Sequence, residues 1–136
     1  FLADYEEDLR RSSMHGRRFG IETLGGKHIG NCMYYGVDLR RKEAELGILI
    51  GERDYWGKGY GTDAICTLLR YIFQCTPLNR IYLRTLDWNT RAQRSFAHAG
   101  FNECRRMREG PYLFVIMEIW RKDFVAREGL EGQGES

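Results

Sequence analysis

Three glycines at alternate positions, Gly57, Gly59 and Gly61, lie between a strand-patterned stretch, Glu45-Leu46-Gly47-Ile48-Leu49-Ile50, and a stretch of helical periodicity that starts at Thr62. This junction restricts the possible folds more than any other part of the chain. Glycine lets the main chain turn tightly and lets a ligand approach it without a Cβ in the way. A helix that starts at such a bend presents N–H groups and the positive end of its dipole, a combination that attracts phosphate. The local physics therefore points to an anion cradle at a strand-to-helix turn, and a purely structural turn is the competing reading.

Two familiar phosphate loops are excluded by spacing. A Walker-type loop needs G-x-x-x-x-G-K-[ST], but Gly51 lies six residues before Gly57 and Lys58 is followed by Gly59. A dinucleotide fingerprint needs G-x-G-x-x-G with an acidic residue roughly 20 positions on. Here the pattern is G-x-G-x-G, and the helix that follows runs to Pro77.

The segment Trp56-Gly57-Lys58-Gly59-Tyr60-Gly61-Thr62 resembles the pyrophosphate loop of the GNAT acetyltransferase superfamily, [Q/R]-x-x-G-x-[G/A]. Glu45 to Ile50 before it and Ala64-Ile65 after it are similar to the RimJ/RimL branch. A second block, Asn89-Thr90-Arg91-Ala92-Gln93-Arg94-Ser95-Phe96-Ala97-His98-Ala99-Gly100-Phe101, is similar to the family's N-x-x-[A/S]-x-x-x-[Y/F]-x-x-x-G-F. The resemblance covers about residues 17 to 120. It implies a mixed α/β fold: a mostly antiparallel twisted sheet, flanked by helices, with a splayed cleft between two central strands. It also implies a strand and a further helix ahead of Phe1. The expected organisation is one domain over residues 1–124 and a mobile tail over 125–136.

Composition agrees with a globular chain. Its 136 residues are 43% hydrophobic and 29% charged, ordinary values for a domain that can bury its own core. A net charge of +2 with dispersed basic residues argues against a nucleic-acid partner. No apolar stretch approaches the roughly 18 residues of a membrane span, and no signal peptide is visible. Cys32, Cys66, Cys75 and Cys104 form no C-x-x-C pair and have no histidine at ligand spacing. The expectation is no metal site and reduced thiols in a cytoplasmic protein.

Periodicity supplies the elements. Phe1, Leu2, Tyr5 and Leu9 read as helical within Phe1–Ser13, Arg18 to Thr23 alternates, and Gly25-Gly26 marks a hairpin before His28 to Val37. Ala64, Ile65, Leu68, Leu69, Ile72 and Phe73 define an amphipathic helix over Thr62–Cys75. Ile81, Leu83 and Thr85 alternate in the next strand. Asn89 reads as the N-cap of a helix that closes at Gly100. Strands over Phe101–Met107 and Tyr112–Trp120 flank the Glu109-Gly110-Pro111 turn.

By resemblance, the main chain of Ile48, Leu49 and Ile50 meets the pantetheine arm of acetyl-CoA. Trp56, Gly57, Lys58, Gly59, Tyr60, Gly61 and Thr62 meet its pyrophosphate. Trp56 stands where the motif carries Gln or Arg, so only its main chain is carried over. Lys58 either reaches a phosphate or is simply solvated. Asn89 adds a cofactor contact to its capping role.

Acetyl transfer to an amine requires a neutral nucleophile, donors for the developing oxyanion and a departing thiolate. A lysine-like ammonium with a pKa near about 10.4 requires a base. Glu45 is the candidate base, the competing reading being a surface pair with Arg40, Arg41 or Lys42. Many members of the family carry Tyr where this chain has Phe96, and Phe has no proton to give. Ser95 is then the candidate near the sulfur, or else a small packing residue, with Phe96 lining the cofactor. Tyr34, Tyr35, Tyr55, Tyr82, Trp88 and Tyr112 supply aromatics of which some line an acceptor cleft. His98 reads as a surface residue.

The expected function is an acetyl-CoA-dependent N-acetyltransferase acting on a primary amine, either a protein N-terminus or a small amine, with a homodimer possible by analogy. The alternative is a non-catalytic acyl-CoA sensor that kept the cleft, and a third reading is an ATP- or NAD-binding protein.

Overall fold

The computed structural model describes residues 2–4, 16–51 and 59–129. The strands are β1 (Leu2–Asp4), β2 (Gly16–Glu22), β3 (His28–Asp38), β4 (Glu43–Ile50), β5 (Arg80–Leu86), β6 (Asn102–Glu109) and β7 (Tyr112–Trp120). The helices are α1 (Tyr60–Cys75), α2 (Thr90–His98) and α3 (Arg121–Glu128). Among the described residues, seven strands form one sheet in the order β1-β2-β3-β4-β5-β7-β6. All neighbours are antiparallel except β4 and β5, which run parallel and are joined through α1. The mixed, mostly antiparallel sheet with flanking helices expected from the sequence is present.

Alternation sorts the central strands into two faces. Ala44 and Leu46 on β4, Ile81 and Leu83 on β5, and Val115, Met117 and Ile119 on β7 are all buried. They form one cluster with Ala64, Ile65, Leu68, Leu69 and Ile72 of α1, Phe96 of α2 and Phe124 of α3. The opposite face carries Glu43, Glu45, Arg80, Arg84 and Glu118 among the aromatic and apolar side chains of Tyr35, Tyr82, Phe114 and Ile116.

Two expectations fail at the ends. Leu2–Asp4 is not helical: it pairs with Ile21, Gly20 and Phe19 of β2, where a partner edge is available. The rest of the predicted helix lies outside the described residues. At the other end, Val125 does not begin a tail, and residues 130–136 of that expected tail lie outside the described residues. Val125 lies inside α3, which Phe124 anchors at 0% exposure against Phe73, with ring centroids 5.4 Å apart. Arg70 holds Glu128 at 2.7 Å, and Arg127 donates to the His98 carbonyl. These long-range contacts are invisible to local periodicity.

Arg121 fastens α3 to the far end of α1. Its guanidinium donates to the carbonyls of Phe73, Thr76 (2.7 Å) and Leu78 (2.6 Å) and to Asn79 Oδ1 (3.1 Å). It therefore occupies the negative end of the α1 dipole, and burial lowers its pKa.

Candidate active site: a wedge between two parallel strands

Pairing between β4 and β5 is short. It comprises Glu43 with Arg80, Ala44 with Ile81 and Glu45 with Tyr82, and then it ends. β4 continues beside β3 to Ile50, and β5 continues beside β7 to Leu86. The strands therefore part after Glu45 and Tyr82, leaving a wedge between Leu46–Ile50 and residues 83–86.

The ladder on each outer side fixes which main-chain groups look into the wedge. Gly51 N–H donates to the Ile29 carbonyl at 2.9 Å, and an antiparallel ladder alternates. Leu49 and Gly47 therefore turn their N–H and C=O groups toward β3, while Leu46, Ile48 and Ile50 turn theirs toward the wedge. On β5, Asp87 N–H donates to the Leu113 carbonyl at 3.0 Å, so the main chain of Arg84 and Leu86 faces inward. The Leu86 carbonyl accepts from Asn89 N–H and from the Gln93 side chain, both at 3.0 Å. Leu49 thus departs from its expected placement: its main chain belongs to the β3 ladder, and its side chain is 65% exposed.

The N-terminus of α1 follows the wide end of β4. Gly59 is the N-cap, with φ +89° and no side-chain cap. Among the described residues, a Cβ on Gly59 would meet nothing within 4 Å, and one on Gly61 would meet Ile50 Cδ1 at 3.7 Å. The first intrahelical bond is Asp63 N–H to the Gly59 carbonyl, so the N–H groups of Gly61 and Thr62 have no acceptor within the helix. A glycine-capped helix start next to inward-facing strand main chain fits a ligand with a phosphate end and an amide-bearing arm. Trp56, Gly57 and Lys58 lie outside the described residues.

At the closed end of the wedge stands Glu45. Among the described residues it makes no ion pair with Arg40, Arg41 or Lys42; the Arg41 guanidinium lies 4.0 Å from Asp38 Oδ2, and the main-chain N–H groups of Arg40 and Arg41 donate to Asp38 Oδ1. Its Oε2 accepts from Arg84 Nε at 3.0 Å, and the side chain is 13% exposed. Tyr35, its cross-strand neighbour on β3, lies over Gly47, where an added Cβ would sit 3.3 Å from the ring. Burial and then the charge of Glu45 raise the Tyr35 pKa, and Arg84 opposes them. Tyr82 is shifted the same way, by burial and then Glu45. A separate network, Arg80 with Glu118 at 2.6 Å and Glu43 at 3.3 Å, ties β4, β5 and β7 together below the vertex.

The second motif is split. Asn89 Oδ1 caps α2 by accepting from Ala92 N–H at 3.2 Å. Phe96 is 7% exposed and packs edge-on against Phe101 at 6.0 Å, so most of its ring belongs to the core. Ser95 is half-buried on the same helix. Sequence reasoning missed Arg84 and Gln93. The polar positions of β5 were legible from its alternation, but the parallel register that brings Arg84 to Glu45 was not. Among the described residues, no cluster of three or more His, Cys, Asp or Glu could hold a metal, and no helix is long and apolar enough to cross a membrane.

A short parallel pairing that opens into a wedge, with a glycine-started helix at its wide end, is the candidate cleft of this sheet. The family model of the acetyltransferase (GNAT) domain matches residues 2–102, and the chain belongs to that family. Among its relatives, the uncharacterized N-acetyltransferase p20 of Bacillus licheniformis is 37% identical over 62 residues, covering 46% of this chain and 34% of p20. The uncharacterized protein MJ1062 of Methanocaldococcus jannaschii is 28% identical over 78 residues, covering 57% of this chain and 16% of that protein. The match therefore spans about a third of the first relative and under a fifth of the second.

Among solved structures, a mutant of the spermidine N-acetyltransferase SpeG from Vibrio cholerae superposes with a TM-score of 0.78 at 24% identity. It covers 91% of this chain and 75% of that one. The Vibrio cholerae spermidine N-acetyltransferase in complex with CoA and spermine gives a TM-score of 0.74 at 23% identity, covering 89% of this chain and 73% of that one. At these identities the likeness is one of fold.

Proposed function

We propose that this chain is an acetyl-CoA-dependent N-acetyltransferase that acts on a primary amine. The observation that carries the reading is the end of β4–β5 pairing at Glu45 and Tyr82, in a chain that belongs to the GNAT family. Ile48 and Ile50 would hold the pantetheine arm through their main chain, as an added strand is held. Gly59, Gly61 and Thr62 would hold the pyrophosphate at the start of α1, with Trp56, Gly57, Lys58 and Tyr60 completing that loop and Asn89 contacting the arm.

When bound, acetyl-CoA supplies an activated thioester carbonyl and a thiolate leaving group. The chain's own part begins with Glu45, which accepts one proton from the incoming ammonium so that the amine can attack. Inward-facing main-chain N–H groups of β4 donate to the oxygen on which charge develops. The second amine proton leaves as the amide forms and ends on the CoA thiol, with Ser95 as hydrogen-bonding neighbour of the sulfur. The products are an N-acetyl amine, CoA thiol and one released proton.

The acceptor class we infer is a small amine, because the fold neighbours include a spermidine N-acetyltransferase. A protein N-terminus is the alternative acceptor, and the RimJ/RimL-like branch, a homodimer and a cytoplasmic location belong to the same proposal. One observation favours a second reading, a non-catalytic acyl-CoA sensor: Phe96 is a core residue with no hydroxyl to offer. A single experiment separates them. Acetyl-CoA, ATP and NAD are compared by calorimetric binding, and free CoA thiol is then followed with spermidine, amino acids and peptide N-termini. Amine-dependent thiol release supports the enzyme; acetyl-CoA binding without release for any amine supports the sensor; failure to bind acetyl-CoA overturns both.

A further inference from the structure

Arg84 lies two residues beyond Tyr82, where β5 has already left β4. Its side chain nevertheless reaches back across the opening, placing Nε 3.0 Å from Glu45 Oε2. A second carboxylate stands on its other side, with Glu109 Oε2 3.9 Å from Nη1. The three side chains differ in exposure: Glu45 is 13% exposed, Arg84 39% and Glu109 61%. Arg84 is therefore a cation between an inner and an outer carboxylate, with its guanidinium 5.7 Å from the Phe114 ring centre. Tyr35 and Tyr82 flank the inner carboxylate, and both feel its charge.

We propose that Arg84 determines the acceptor's charge class: it occupies, on Glu45, the seat that an alkylammonium acceptor must take, and it yields that seat by turning to Glu109. The proposal rests on Glu45 being the base of an acetyltransferase. A partly exposed ion pair is weakly held, so a cation delivered at the same carboxylate can displace it. An amine that is uncharged at the assay pH cannot replace a cation there, so it finds the place beside the carboxylate still filled by the guanidinium and binds weakly. The cleft therefore selects aliphatic amines that arrive as ammonium ions and discriminates against arylamines and other weakly basic amines. The exchange is electrostatic and breaks no covalent bond.

The test compares wild type with Arg84→Gln, Arg84→Lys and Glu109→Gln. Spermidine serves as the charged acceptor and aniline as the uncharged one. Acetyl-CoA affinity is measured separately by calorimetry, so a failure of the acetyltransferase reading registers there and not in the acceptor data. Arg84→Gln is expected to lower KM for both acceptors by up to about fivefold with acetyl-CoA affinity unchanged. Arg84→Lys is expected to stay near wild type. Glu109→Gln is expected to raise the spermidine KM severalfold at constant kcat, because the displaced guanidinium loses its landing site.

A fall in KM confined to spermidine would reduce Arg84 to a distant charge and overturn the displacement. A loss of kcat at constant KM in Arg84→Gln would make it a strut for Glu45 and would overturn it equally. If no variant turns over, calorimetric titration of each amine into the CoA-bound protein reads the same shifts as Kd and decides the matter without catalysis.

Discussion

Glu45 and Tyr82 are the last two residues at which β4 and β5 lie side by side. Everything that distinguishes this sheet from a closed one happens beyond that pair. The inward main chain of Ile48, the glycine-capped start of α1 and the reach of Arg84 are all consequences of two strands parting at one point.

Gly61→Ala should separate binding from stability. Gly61 lies in the first turn of α1, and among the described residues a methyl there meets Ile50 Cδ1 at an ordinary 3.7 Å. Alanine is favoured over glycine in a helix by up to about 1 kcal/mol, so the melting temperature should hold or rise. Acetyl-CoA affinity should fall, because the methyl enters the space assigned to pyrophosphate. Calorimetry and thermal melting together check this, and unchanged affinity would move the phosphate site elsewhere.

Glu45→Gln should lower kcat by about 100-fold or more at neutral pH, the scale of a lost general base. The loss should shrink as pH rises toward the pKa of an alkylammonium, about 10.4, because the acceptor then arrives neutral. A pH-independent loss measured from pH 7 to 10 would assign Glu45 a structural role with Arg84.

Arg121→Met should destabilise the fold without touching the cleft. The arginine serves three carbonyls and the Asn79 side chain between α1 and β5. Several of these acceptors would be left without a donor, at about 1 kcal/mol or more each. A loss of about 3 kcal/mol, or roughly 10 °C in Tm, is expected. Acetyl-CoA affinity of the folded variant, measured well below its Tm, should match wild type.

Alkaline pH should weaken the protein through two buried acids. Burial pushes the Cys32 thiol from 9.0 up to about 12. Tyr34, raised from 10.0 to about 12, is shifted by burial first and the neighbouring Tyr71 second. Both groups hold their protons longer in the folded state than in the unfolded one. Their contribution is complete below about pH 9 and is lost as pH rises toward about 12, by at most about 1.4 kcal/mol per pH unit for each group. Urea midpoints at pH 8, 10 and 11 measure the slope. Cys32→Ala should flatten its first segment, between about pH 9 and 10, where the thiol titrates before the phenol.

The elements that were legible in the sequence are those whose signals are local. The apolar spacing from Ala64 to Phe73 marked α1, and the alternation of Ile81, Leu83 and Thr85 marked β5 with its buried face. Asn89 marked the start of α2 because an N-cap is a one-residue signal, and its side chain makes that bond. α3 was hidden because Arg121 and Phe124 owe their places to Phe73 and the turn after α1, some fifty residues away in the chain. The partner of Glu45 was hidden for the same reason. Arg40 and Arg41 are near it in sequence, but the parallel register delivers Arg84. Parity along β4 was also out of reach from composition: it takes the ladder with β3 to show that Ile48 and Leu49 present opposite sides.

That parity carries an evolutionary corollary. A groove lined by peptide groups makes no demand of its own on side-chain identity, so exposed Leu49 can vary while Leu46 stays apolar for the core and Gly47 stays small beneath Tyr35. Adding or deleting a single residue there would instead turn every peptide group around. Divergent descendants of such a cleft should vary most at the outward position of Leu49 and hardly at all in the length of this strand.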